Sequence, residues 1–242
     1  RNNALRKMRK AMAFHLAGDQ HLSVVTHHGI ENFRDGPVTF VSPALINNYY
    51  SRWWWPEGGE AGANPIEDSP LPWTGDYLDG LGNKITMIAY ANPDPESTRR
   101  GKRDPNEDWA DGYGLVRFDK KAQTVVFECW SRFADLSKGD AGQYPGWPMK
   151  FNMSQNDGRE AVAYLPELSF KGISNPVVQV VNEATGEELY TTRVQGKSYR
   201  PKVYAKGNYT IRVGEGRPIL KSVSGVQSVS AGSKKKLTIS VR

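Results

Sequence analysis

Ala13-Phe14-His15-Leu16-Ala17-Gly18-Asp19-Gln20-His21 is the stretch on which the reading of the first half turns. A short apolar run from Ala13 to Ala17 ends abruptly at Gly18 and Asp19, the pattern of a buried strand delivering polar groups into a loop. Before it, Asn2 or Asn3 is placed to cap a helix in which Leu5, Met8 and Met12 fall at helical spacing and Arg6, Lys7, Arg9 and Lys10 face water. After it, Leu22–Thr26 and Val38–Ser42 read as strands, with Arg34, Asp35 and Gly36 as the turn between them and Pro43 as a stop. Helix, strand and polar loop in that order predict an α/β layer.

Residues 47–105 then read as a long loop, rich in Trp53, Trp54, Trp55, Pro56, Gly58 and Gly59, with one clear strand at Lys84–Ala91. A loop of that length and aromatic content is functional or packed over a core. Tyr113–Phe118 and Thr124–Trp130 flank Asp119, Lys120, Lys121 and Ala122 as a hairpin. Past Tyr144-Pro145-Gly146-Trp147-Pro148 the text changes to short β-rich runs between Gly and Asn turns: Val177–Val181, Leu189–Val194, Lys202–Tyr204, Tyr209–Val213 and Leu237–Val241. These predict an all-β sandwich from about Leu168 onward, and a chain of two units, 1–165 and 166–242. The fold class expected is therefore α+β and mostly β.

The net charge of +6 is spread over Arg6–Lys10, Arg99–Arg103 and Lys234–Lys236, which suits a solvated surface better than a nucleic-acid groove. No apolar run approaches the roughly 20 residues of a membrane helix, so no membrane span is expected. The sequence begins at Arg1 without a leader and reads as a piece of a longer chain. Its lone Cys129 has no partner for an internal disulfide or a thiolate metal cage, and reads as a core thiol.

All four histidines, His15, His21, His27 and His28, lie close together, and the Asp19-Gln20-His21 step is the one chemically loaded place. In an extended loop, residues two apart point the same way, so Asp19 and His21 would offer a carboxylate oxygen and an imidazole nitrogen to one side. Such a mixed pair suits zinc, iron or manganese. A second reading stands beside it, a polar turn whose Asp caps backbone amides. A strand at about 3.3 Å per residue would carry His27 and His28 some 20 Å from His21, and His15 reads as a hydrogen-bonded core imidazole. A catalytic metal needs at least three protein ligands, yet no histidine follows residue 28, so others must be carboxylates or belong to chain outside this sequence. Phosphate-cradling loops, the Gly-x-Ser-x-Gly elbow and the dinucleotide fingerprint are absent.

The run from Ala11 through Phe14-His15-Leu16-Ala17-Gly18-Asp19-Gln20-His21-Leu22 to Gly29 resembles the last motif of the alkaline phosphatase D-like metallophosphoesterases, of the calcineurin-like phosphoesterase superfamily. Asp35–Pro43, the Arg52–Pro56 tryptophan block, Gly112–Phe118 and Gln143–Pro148 extend the resemblance over roughly residues 4–150. It implies the C-terminal part of a four-layer α/β sandwich carrying a binuclear metal centre, either iron with calcium, or zinc, or manganese. Asp19 would stand in place of the first histidine of the superfamily's Gly-His-x-His and bind one metal, while His21 would bind the other. The family's upstream Asp-x-His, Gly-Asp and Gly-Asn-His motifs are missing; Gly75-Asp76 and Gly139-Asp140 match one of them only superficially and read as turns.

What the resemblance implies is hydrolysis of small phosphate esters by a secreted or periplasmic enzyme, with this chain inactive alone for want of ligands. The tryptophan block Trp53–Trp55 would either floor the mouth of the site or, as aromatic clusters more often do, pack in a core or interface, and the β-sandwich module would support, attach or bind. The other reading is a non-catalytic secreted binding protein that uses the Trp-rich loops or the β-sandwich to hold a glycan or surface polymer.

Overall fold

Val, Ile, Phe and Thr occur in short stretches between turn residues, and the described chain is accordingly mostly β. The computed structural model describes residues 1–45, 52–93 and 110–241. Arg99–Arg103, and the ends of the long loop expected over 47–105, lie outside them. Contacts divide the chain into one unit of Arg1–Leu5 with Ala13–Gly158 and a second of Arg6–Met12 with Arg159 onward. Ala163–Tyr164, which the sequence reading leaves in the first unit, pairs within the second.

The opening helix, α1, spans Asn2–Lys10. Its buried stripe is Leu5 and Arg9, one turn apart, followed by Met12 just past its end, while Met8 is half-buried. Arg9 therefore corrects the expectation that all four basic residues face water: it stands four residues after Leu5, on the same face.

The first unit's larger sheet contains β1 (His15–Ala17), β2 (Ser23–His28), β3 (Val38–Val41), β4 (Gly75–Leu78) and β5 (Lys84–Ala91), in the order β1-β3-β2-β5-β4. β1 runs parallel to β3, with Ala17 opposite Val41, and β2 is antiparallel to both β3 and β5, with Ser23 opposite Ala91. The C-terminal ends of β1, β3 and β5 and the N-terminal end of β2 thus share one edge of the sheet. β1 is an edge strand, and Leu16 is 48% exposed, so the expectation of a buried strand is corrected there. Gly75-Asp76 is not a turn either: it opens β4. Buried Asp76 is satisfied by Thr86 Oγ1 at 2.5 Å, Asn64 Nδ2 at 3.0 Å and Arg34 Nε at 3.1 Å, which lets a carboxylate sit in a strand.

The predicted hairpin forms as β6 (Gly112–Asp119) and β7 (Thr124–Ser131), and β8 (Met149–Asn152) adds to β7. Both sheets contribute to one core. Phe127 of β7 is fully buried, stacked on Phe40 of β3 at 5.0 Å and met edge-on by Phe14 at 5.6 Å. Cys129 is buried as expected, its thiol donating to Ser23 Oγ at 3.2 Å, and burial pushes its pKa up to about 12.

The second unit contains β9 (Ala163–Tyr164), β10 (Glu167–Lys171), β11 (Val177–Asn182), β12 (Glu188–Arg193), β13 (Ser198–Tyr199), β14 (Lys202–Val203), β15 (Asn208–Gly214), β16 (Lys221–Gln227) and β17 (Lys236–Ser240). An antiparallel sheet runs β12-β11-β15-β16; a second runs β13-β10-β17, with β10 and β17 parallel; β14 pairs with β9. Leu168, Val178, Val180, Tyr190, Tyr209, Ile211 and Ile239 are buried in this unit. No helix among the described residues is long and apolar enough to cross a membrane.

Three histidines stiffen the larger sheet away from the shared edge. Thr39 Oγ1 lies 2.8 Å from His28 Nε2 and 3.2 Å from His15 Nδ1, and His27 Nε2 lies 2.9 Å from the Gly36 carbonyl. Burial, then the charges of Arg1, His15 and His27, lowers His28 from its ordinary 6.5 to about 4; burial likewise lowers His27. A pKa depressed by folding contributes stability above the unfolded value, and that contribution drains as the pH falls from 6.5 toward about 4. The urea midpoint is expected to drop across that window, and less so in His28→Gln; equal slopes in the two proteins would remove His28 from this role.

Candidate functional site

The ends of β1, β3 and β5 share one edge of the sheet; β1 and β3 are its parallel pair, the other pairings being antiparallel, and in open parallel sheets ligands sit outside the carboxyl ends of such strands. Gly18–Leu22 leaves β1 there and turns back into β2. Asp19 and His21 both take left-handed backbone conformations, with φ of 64° and 55°. Asp and His tolerate that region better than most residues, but two such positions in one short loop are strained and need a surrounding that holds them. The extended geometry that would point both side chains to one side is thereby corrected: the alternation of an extended chain does not survive two left-handed residues.

Asp19 is exposed and His21 half-buried. The loop is tied down from outside, since Arg52 N donates to the His21 carbonyl at 2.7 Å, and Ser42 N donates to the Ala17 carbonyl at 2.9 Å. Arg52 opens the tryptophan block. That block is anchored at the same edge, where Asn92, just past β5, accepts from Trp54 N at 2.8 Å and donates to the Trp54 carbonyl at 2.9 Å. Trp54 meets Tyr77 edge-on at 5.1 Å and donates through Nε1 to the Trp73 carbonyl; Trp55 packs on Trp73 at 4.6 Å yet is 63% exposed.

One further carboxylate belongs here that sequence reasoning missed. Asp111, just before β6, is 2% exposed, and neither carboxylate oxygen accepts a hydrogen bond among the described residues. Arg132 Nη1 stands 3.4 Å from Oδ2. Burial raises the Asp111 carboxyl above its ordinary value, while the charges of Arg132 and then His21 pull it back, so Asp111 and His21 lie within electrostatic reach of each other. The backbone fixes Asp111 firmly: its carbonyl accepts from Tyr144 Oη at 2.9 Å and from Arg132 N at 3.1 Å, and Gly112 N donates to the Ala44 carbonyl at 2.9 Å. Gly112 permits this approach, since a Cβ there would stand 1.8 Å from the Trp130 carbonyl oxygen. In the sequence an Asp-Gly step reads as a turn, and nothing links it to a loop so much earlier in the chain.

The other histidines do not join. His27 and His28 occupy the far end of β2, as strand geometry predicts, and His15 is held by Thr39. Among the described residues no group of three His, Cys, Asp or Glu is arranged to hold a metal ion. In donor type the edge suits a metal: carboxylate from Asp19, imidazole from His21, and a buried carboxylate without hydrogen bonds at Asp111. In number it is only part of a site. No protein family, curated protein or solved structure matches this chain.

If the loop's conformation is held at a cost, glycine at its exposed position should relieve it. Asp19→Gly is expected to keep or gain up to about 1 kcal/mol in denaturant unfolding, and Asp19→Val to lose about 1–2 kcal/mol. A loss in Asp19→Gly equal to that in Asp19→Val would contradict a strained loop.

Proposed function

We propose that this chain is the C-terminal part of a secreted or periplasmic metallophosphoesterase that hydrolyses small phosphate esters, and that Asp19 and His21 supply part of its metal-ligand set. The observation that carries the reading is the left-handed Asp19-Gln20-His21 loop at the carboxyl end of parallel β1, with the buried Asp111 carboxylate in electrostatic reach of His21. On this reading the first unit is one side of a four-layer α/β sandwich. The second unit is a small β-sandwich appended to it, in keeping with Tyr209, whose hydroxyl donates to the Ala205 carbonyl at 2.6 Å as in the tyrosine corner of such folds.

Asp19 and His21 would hold metal ions, and a bound metal pair supplies positive charge at the phosphoryl oxygens and a lowered pKa for the attacking water. Asp111, buried with no hydrogen bond to its carboxylate, would add negative charge beside a metal held there. The tryptophan block, tied to the His21 carbonyl through Arg52, would border the site. On this reading the remaining ligands would be carboxylates or belong to chain outside this sequence.

Chelator-sensitive release of phosphate from p-nitrophenyl phosphate is expected from the chain joined to its own upstream coding sequence. In that protein Asp19→Ala and His21→Ala should each lower the rate roughly 100-fold or more. The 242 residues alone should show negligible turnover. Undiminished activity in both variants would sink the assignment of these ligands.

A second reading rests on exposed Trp55, 63% accessible and packed on Trp73, with Trp53 of the same block 37% accessible: a non-catalytic protein that stacks sugar rings of a glycan on this aromatic surface. It takes precedence if the longer protein releases no phosphate while the wild type, and not Trp55→Ala, is retarded in gels containing a soluble polysaccharide.

A further inference from the structure

The second unit carries a concave pocket of about 380 Å³ lined by Glu167, Arg200, Ser233, Lys234, Lys235 and Lys236. Its position follows from the strand pairing. Glu167 and Lys236 are register partners at the start of parallel β10 and β17, Arg200 follows β13, and residues 233–235 belong to the connection into β17. The size falls within the range of small-ligand sites.

Charge in the pocket is one-sided. Four cations line it against one carboxylate, and that carboxylate is already engaged, Lys236 Nζ lying 3.3 Å from Glu167 Oε2. Among the described residues Lys234 and Lys235 form no ion pair. The Arg200 guanidinium is held in place, 5.1 Å above the Tyr164 ring and donating through Nη2 to the Ser230 carbonyl at 3.0 Å. Its Nε is shielded from water and has no hydrogen-bond acceptor. Lysines at a mouth are an ordinary solvated surface. A guanidinium fixed in the pocket wall behind them adds a pre-positioned charge whose remaining N–H donors can meet the oxygens of a tetrahedral anion, while its shielded Nε takes no part.

We propose that this pocket binds a tetrahedral oxyanion, phosphate or sulfate, carried on a polyanionic chain, with Arg200 as the anchor and Lys234 and Lys235 as the electrostatic lip. The second unit is thereby an attachment module whose partner is a phosphorylated or sulfated polymer. The assignment does not depend on the phosphoesterase reading, since every residue in it belongs to the second unit.

Isothermal titration calorimetry of the whole chain tests this with two probes, a short-chain polyphosphate and dextran sulfate. A tight site for either supports the proposal and tells which anion it takes; binding to neither at low salt overturns it. Arg200→Gln is expected to weaken the preferred probe about tenfold or more. Because Arg200 packs on Tyr164, the exposed pair Lys234→Gln/Lys235→Gln is measured beside it and should weaken binding about fivefold or more. The pair Lys206→Gln/Lys221→Gln removes the same charge elsewhere on the unit. Equal weakening in that control would reduce the binding to general charge attraction and overturn the site.

Discussion

Phe127 is the contact on which the first unit depends. Its ring, at zero exposure, lies between Phe40 of the larger sheet, Phe14 ahead of β1 and Phe151 of β8, with centroid distances of 5.0, 5.6 and 5.5 Å. Deleting a ring so enclosed from a close-packed core costs about 3–5 kcal/mol, comparable to much of a domain's stability. The same packing sets the position of the shared strand edge, because Phe40 precedes Val41 at the end of β3 and Phe14 precedes β1, from which the Gly18–Leu22 loop departs.

That edge concentrates the unusual local chemistry. Two left-handed non-glycine residues and a tryptophan cluster are tied there by the Arg52 N bond to the His21 carbonyl and by the Asn92 side chain on the Trp54 backbone, and Asp111 adds a buried carboxylate without hydrogen bonds. Elsewhere in the unit buried charge is well satisfied: Asp76 has three partners, and the Asp35 carboxylate accepts from the backbone of Ile30, Glu31 and Asn32. Asp76 and Asp111, two buried carboxylates in one unit, thus differ: the first is met by three hydrogen bonds, the second by the charge of Arg132 at 3.4 Å.

Strands with a strong apolar alternation were legible in the sequence. Lys84–Ala91 reads to the residue as β5, and the β6–β7 hairpin reads within one residue at each end. β4 was hidden because Gly75-Asp76 looks like a turn, and only the tertiary partners of Asp76 make it a strand. β16 was hidden because Lys-Ser-Val-Ser-Gly-Val-Gln has one buried residue, Val226; pairing with β15, not its own pattern, makes it extended. The polar loop at Asp19 and His21 was legible in the sequence, but its backbone conformation was not, since φ above zero in Asp or His depends on what the loop is tied to. Asp111 and the Arg200 pocket needed the fold itself, which alone brings distant residues within reach.

The central claim is that the β1 loop is a place for metal. With four histidines in the chain, the direct test is a histidine-selective NMR spectrum recorded while Mn²⁺ is added in small steps, since paramagnetic broadening registers even weak, partial binding. The account predicts that His21 broadens first and that His15, His27 and His28, held by Thr39 and Gly36 away from that edge, follow only at much higher metal. Simultaneous broadening of all four, or a His21 signal untouched while the others fade, would contradict it.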